Sequence, residues 1–89
     1  MNTAIQDDTL SFYHANALLA MNQSEEALKI FSTLEKTENR FTQEAAWYTS
    51  LSLLKLDRIE AAQNQLQSII TDPQHPYFLE ASKLLEKIK

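Results

Sequence analysis

One short phrase occurs three times in the chain: an aromatic residue, a small residue three positions later, and then two adjacent leucines. Its copies are Phe12-Ala15-Leu18-Leu19, Trp47-Ser50-Leu53-Leu54 and Phe78-Ala81-Leu84-Leu85. They begin at residues 12, 47 and 78, which are 35 and 31 residues apart. Repetition at such intervals is typical of helical units that stack on one another. This period therefore constrains the fold more than any other feature of the chain.

The first two copies also share small residues in the segment that follows each of them. Ala27 and Ala62 lie at the same distance after their copies of the phrase. Two helix axes approach closely only where the side chains between them are small. The sequence therefore predicts two helix pairs with close crossing points. The first crossing is marked by Ala15 and Ala27, and the second by Ser50 and Ala62.

Composition favours a helical chain and narrows the range of partners. The 89 residues include no glycine and only two prolines, which disfavours β folds that are rich in tight turns. This length predicts one domain, residues 1–89. The chain has no cysteine for a disulfide or a thiolate metal site. Its net charge of −4, without a basic stripe, argues against nucleic acid as a partner.

The sequence carries no signal for membrane insertion or export. No apolar run approaches the length of a membrane span, so we expect no direct membrane insertion. Residues 1–10 lack the basic and apolar parts of a signal peptide. We expect a soluble domain of unknown compartment, of a size compatible with excision from a longer bacterial protein.

Capping and helix-breaking residues divide the chain into segments. Ser24, Thr42 and Asp57 are predicted N-caps, because short polar side chains can bond the free backbone amides at a helix start. The segments are five helices, at about residues 7–21, 25–36, 43–56, 58–70 and 76–88. Connections this short imply antiparallel neighbours. The predicted fold class is therefore all-α, a right-handed helical-repeat stack of about five antiparallel helices.

These residues resemble the tetratricopeptide repeat, a helix-turn-helix unit of about 34 residues. The resemblance covers about residues 10–88 and rests on the small residue of the first helix, the apolar residue three positions later and the alanine of the second helix. It implies a first repeat at about 8–37, a second at about 42–72 and a capping helix at about 76–88. This last helix is similar to that of short repeat domains in many bacterial proteins.

The chain departs from the family pattern at several places. The turn position that usually holds glycine is occupied by Asn22 and Asp57. The aromatic residue of the first helix is displaced by one position, to Phe12 and Trp47. The resemblance therefore implies the fold of the family, but it does not imply membership of a particular subfamily.

The resemblance implies a binding surface, because in this family the first helices of the units line a concave face. Residues at i, i+4 and i+7 share one side of a helix. We accordingly expect a protein or peptide partner to contact Phe12, Asn16, Leu19, Trp47, Leu51, Leu54, Lys55 and Phe78. Apolar stripes at helical spacing are more often core. For the three aromatic residues, core packing and partner binding both stay open.

No catalytic or metal-binding constellation is recognisable. His14 and His75 are the only histidines; the first is predicted to pack partly buried and the second to be solvated. The chain has no paired metal ligands at the usual spacing and no glycine-rich phosphate loop. We therefore expect no enzyme and no cofactor, but a non-catalytic module that binds another protein.

A second class of function stays open beside this one. Tyr13, Ala17 and Ala20 give the outer side of the first helix a weakly polar character. A short repeat stack can expose apolar surface at its ends, where no further unit covers it. The alternative is therefore an assembly element that self-associates, as a homodimer for example, through its apolar face or its end helices.

Overall fold

The chain folds into an all-α stack. The structure, a computed structural model, describes residues 8–88, and this part contains five α-helices and no strand. The helices are α1 (Asp8–Ala20), α2 (Ser24–Lys36), α3 (Thr42–Lys55), α4 (Ile59–Ile70) and α5 (Phe78–Ile88). Each helix packs mainly on its neighbours along the chain, which gives an elongated body of 45 × 28 × 16 Å. The predicted fold class is confirmed.

The small residues of the repeat lie where the helices pack. Ala15 of α1 and Ala27 of α2 are fully buried in the same cluster, and Ser50 of α3 and Ala62 of α4 are fully buried as well. The Ser50 hydroxyl donates a hydrogen bond to the Ala46 carbonyl at 3.3 Å, so its burial leaves no unpaired polar group. Complete burial of all four side chains fits the close helix crossings that the sequence predicts.

The turns that end α1 and α3 have the same left-handed geometry. Asn22 has φ 64° and Asp57 has φ 63°. After α3, the Arg58 N–H donates to the Leu53 carbonyl at 2.9 Å and the Asp57 N–H donates to the Leu54 carbonyl at 2.9 Å. The turn after α1 has the same pattern, which is the Schellman motif of helix C-termini. Asn and Asp therefore stand where glycine is usual because they tolerate this conformation.

The predicted N-cap roles of Ser24, Thr42 and Asp57 are wrong. Asp57 has left-handed backbone that terminates α3, and Ser24 is already the first residue of α2. The Thr42 hydroxyl donates to the Thr37 carbonyl of the preceding loop at 2.8 Å. The residues at the N-cap positions of α2, α3 and α4 are Gln23, Phe41 and Arg58. None of these three makes a side-chain capping hydrogen bond.

A substitution at Asp57 tests this turn assignment. We expect Asp57→Gly to raise the free energy of unfolding by about 0.5–1 kcal/mol, because glycine adopts positive φ without the steric cost of a Cβ atom. Asp57→Val should lower it by about 1–2 kcal/mol. Urea denaturation measures both values. At a true N-cap, glycine would instead be no better than aspartate, and a drop in stability for Asp57→Gly would contradict the assignment.

The core between α1, α2 and α3 is built around aromatic rings. Phe31 of α2 is fully buried and stacks on Tyr48 of α3, with ring centroids 5.2 Å apart and planes at 17°. Phe12 of α1 stacks on Phe41 at 4.3 Å and 10°. The two stacks also meet edge to face, since the Phe12 and Phe31 centroids are 6.0 Å apart at 74°. This cluster fixes the first three helices relative to one another.

A second, aliphatic cluster joins α4 to α5. Leu66 and Ile69 of α4 are buried against Ala81 and Leu85 of α5. The Gln63 amide donates to the Ile88 carbonyl at 2.8 Å, which ties α4 to the end of α5. The aromatic cluster lies on one side of α3 and the aliphatic cluster lies on the other. In this arrangement α1, α3 and α5 lie side by side.

Candidate functional site

An open groove, formed by two adjoining hollows, runs across α1, α3 and α5. The first hollow, of about 500 Å³, is lined by Asn16, Leu19, Ala20, Leu51, Leu54 and Lys55. The second hollow, of about 340 Å³, is lined by Trp47, Leu51, Glu80, Lys83, Leu84 and Lys87. Leu51 lines both hollows, and so they form one continuous surface across the three helices.

The groove contains six of the eight partner-binding residues that the sequence predicts. The side chains from α1 and α3 occupy equivalent positions in the repeat. Each α3 position follows its α1 counterpart by 35 residues, so that Asn16, Leu19 and Ala20 correspond to Leu51, Leu54 and Lys55. Asn16 is additionally held by its own helix, because its side-chain amide donates to the Phe12 carbonyl at 3.0 Å.

Phe12 and Phe78, the other two predicted contacts, lie outside the groove lining. Phe12 is only 8% exposed and belongs to the aromatic core, where Phe41 covers its ring. Phe78 is half-buried at the start of α5. For Phe12, the structure therefore decides between the two alternatives in favour of core packing.

Trp47 has both a packing contact and a groove-facing surface. It is half-buried, and its ring lies parallel to that of Tyr77, with centroids 5.3 Å apart and planes at 5°. It also lines the second hollow. Burial raises the pKa of the Tyr77 phenol above its ordinary value of 10.0, and the neighbouring Tyr48, Glu44 and Glu80 raise it further. Tyr77 is therefore an uncharged support for the indole at neutral pH.

The contribution of α5 to the groove differs from the sequence prediction. The predicted face of α5 begins at Phe78, but the residues that line the second hollow are Glu80, Lys83, Leu84 and Lys87. In α1 the small residue Ala15 packs with α2, the helix that follows. No helix follows α5 within residues 8–88, and its small residue Ala81 packs back on α4 instead. The burial pattern of α5 matches that of α3 at an offset of 36 residues (81 − 45), with Ala81 and Leu85 in the places of the buried Ala45 and Thr49, and not at the offset of 31 between the second and third copies of the phrase.

The charge of the groove is opposite to that of the whole chain. Lys55, Lys83 and Lys87 line it, whereas Glu80 is its only acidic residue, although the chain has 12 acidic and 8 basic residues. Within residues 8–88 the ion pair of the structure joins Arg58 to Glu25 at 2.8 Å, away from these lysines. The groove therefore combines a leucine and tryptophan floor with three ammonium groups and one carboxylate.

Other parts of the described chain offer less to a ligand. A further hollow of about 490 Å³ lies beside the turn after α1 and is lined largely by polar residues of that turn and of the start of α2. His14 is exposed, so its predicted packing role is wrong. His75, expected to be solvated, is half-buried, and its Nδ1 accepts a hydrogen bond from the Tyr77 N–H at 3.1 Å. Residues 8–88 contain no cluster of three or more potential metal ligands.

Comparison with known proteins gives no further indication of function. No protein-family model, curated protein or solved structure matches the chain. Among residues 8–88, none of the helices has both the length and the apolar character needed to cross a membrane. The groove is thus interpreted from its own geometry and chemistry.

Proposed function

We propose that this chain is a non-catalytic protein-binding module of the tetratricopeptide type, which holds a segment of a partner protein in the groove. The observation that carries the proposal is the continuity of the groove through Leu51, across three helices of the stack. A surface of this form fits an extended or helical segment better than a small molecule, because both hollows are open rather than enclosed.

The lining residues indicate the chemistry of the partner segment. Leu51, Leu54 and Trp47 offer apolar contact, and burying such surface drives most protein association. Lys83 and Lys87 are four residues apart on α5, so their ammonium groups flank the same side of the second hollow. We expect the partner segment to present large apolar side chains beside aspartate or glutamate.

Leu51→Glu tests the proposal at the centre of the groove. We expect peptides selected for binding from a random library to combine large apolar and acidic residues. Their Kd for the variant should rise by about 30-fold or more, since central hot-spot residues contribute about 2 kcal/mol or more. Isothermal titration calorimetry on wild type and variant gives this ratio, and circular dichroism checks that the variant remains helical.

A matched control separates the groove from the rest of the surface. Ala61→Glu adds the same charge at an exposed position of α4, outside the groove lining, and should leave the Kd within about twofold of wild type, a change of roughly 0.4 kcal/mol. The proposal fails if the selected peptides lack acidic residues and bind both variants as tightly as wild type.

A further inference from the structure

Within residues 8–88, the side of α1 that faces away from α2 is apolar and is covered by no other helix. We name it the α1 outer face; its members are Leu10, Tyr13, His14, Ala17 and Met21. The three largest apolar side chains are 65%, 62% and 59% exposed, for Leu10, Tyr13 and Met21 respectively. Residues 9–24 contain no Asp, Glu, Lys or Arg, although 22% of the chain is charged. An exposed apolar patch with no charge is unusual on a monomeric protein and indicates a contact surface.

The repeat itself shows how such a face is used. Thirty-five residues further along the chain, the equivalent positions on α3 are Ala45, Tyr48, Thr49, Ser52 and Leu56, and all of them are buried or half-buried. Tyr48, the counterpart of Tyr13, stacks on Phe31 of α2 at 5.2 Å. The α3 face is thus covered by a helix. Within residues 8–88, no helix covers the corresponding face of α1.

We infer that the α1 outer face pairs with the same face of a second copy of the chain. Charge supports this occupant. Two copies with a net charge of −4 each repel one another over most of their surface. They can approach without placing like charges in contact through the α1 outer face, because it belongs to the uncharged stretch of residues 9–24.

The arrangement of large and small residues along the face is also self-complementary. Leu10 and Tyr13 occupy the first half of α1, whereas Ala17 lies in the second half. In an antiparallel pair related by a twofold axis, Tyr13 of one copy lies beside the small Ala17 of the other. The axis passes between His14 and Ala17, and Met21 of one copy meets Leu10 of its partner. Ala17 permits close approach of the two helix axes.

The other end of the stack favours a closed dimer over a filament. The exposed residues of α5 include the charged Glu86, and the one large exposed apolar residue of this helix is Leu79. The two ends are therefore not complementary to each other. When two α1 outer faces pair, both are buried. No apolar face of this kind is left for a third copy, and so association stops at the dimer.

The mass of the particle in solution tests the pairing. Sedimentation equilibrium at high micromolar concentration should give a dimer for the wild-type chain and a monomer for Ala17→Glu, which places two carboxylates near the twofold axis. Ala17 is exposed, and so this variant should remain helical by circular dichroism. Leu79→Glu, at an exposed apolar site on α5, and Leu51→Glu in the groove should both remain dimeric. Because Leu51→Glu is expected to weaken peptide binding but not dimerisation, failure of this inference can be distinguished from failure of the proposed function.

A cysteine cross-link tests the geometry, since the chain has no cysteine of its own. Ala17→Cys should form a covalent dimer rapidly under mild oxidation at micromolar concentration, whereas Leu79→Cys should not. A monomeric wild-type chain in sedimentation overturns the inference, and so does a dimer that persists in Ala17→Glu.

Discussion

Replacing Phe31 by alanine is expected to lower the free energy of unfolding by about 3–5 kcal/mol. Phe31 is fully buried, and its ring contacts Phe12 edge to face and Tyr48 in a stack. The substitution therefore leaves a large cavity and removes two aromatic contacts, each of which adds about 0.5–1.5 kcal/mol beyond the area it buries. A domain of this size is only about 5–15 kcal/mol stable, and so the loss should appear as a large fall in the urea midpoint.

The control for Phe31→Ala is Leu79→Ala on the exposed side of α5. Leu79 is 66% exposed, and its truncation should change stability by no more than about 0.5 kcal/mol. The two variants together distinguish loss of the aromatic core from a general effect of removing apolar atoms. A loss below about 1 kcal/mol for Phe31→Ala would be incompatible with a fully buried ring at this site.

Ala62→Leu is expected to lower the free energy of unfolding by about 1–3 kcal/mol, through overpacking. Ala62 is fully buried within the stack, and a leucine there forces the packed helices apart. Ala27→Leu should behave in the same way, because Ala27 is fully buried at the equivalent position of the first unit. Thermal and urea denaturation measure both changes.

The neighbouring alanine of α4 provides a matched control for this effect. Ala61 is exposed, so that Ala61→Leu adds the same atoms to the same helix without entering a contact. Its stability should stay within about 0.5 kcal/mol of wild type. Equal behaviour of Ala61→Leu and Ala62→Leu would mean that the two repeats have been aligned in the wrong register.

The first two repeat units could be predicted from the sequence in considerable detail. The 35-residue offset places Leu51 and Leu54 of α3 at positions equivalent to Asn16 and Leu19 of α1, and all four line the groove. This succeeds because each of these helices is followed by a partner helix in the same relation. Small residues at fixed places determine which side of the helix is covered, and they are visible in the sequence.

The face that α5 presents to the groove could not be predicted from the repeated phrase. Ala81 occupies the small-residue position of the third copy, but it packs against α4 and matches the buried Ala45 of α3 rather than Ser50. The sequence pattern records which residues are small or apolar. It does not show that the third copy of the phrase is out of register with the second, and Lys83, Leu84 and Lys87 were missed for that reason.

Whether an aromatic residue of the phrase lies in the core or beside the groove depends on contacts with residues outside the repeated phrase. Phe12 and Trp47 hold equivalent positions in the phrase, yet Phe41 from a loop covers Phe12, whereas Tyr77 supports Trp47 beside the groove. Such contacts join residues that are distant in sequence, and no local pattern specifies them. The N-cap prediction at Asp57 was wrong for a related reason. Aspartate is common both at helix N-caps and in left-handed turns, and only the backbone conformation shows which role the residue has.

The most direct test of the account is to map the surface that a partner segment contacts. We propose an NMR titration of the ¹⁵N-labelled chain with a selected apolar and acidic peptide. The largest shift changes are expected at Asn16, Leu51 and Leu54 and at the Trp47 indole N–H, which gives an unambiguous signal because the chain has one tryptophan. Changes concentrated on the outer sides of α2 and α4, with the Trp47 indole signal unmoved at saturation, would contradict the proposed groove.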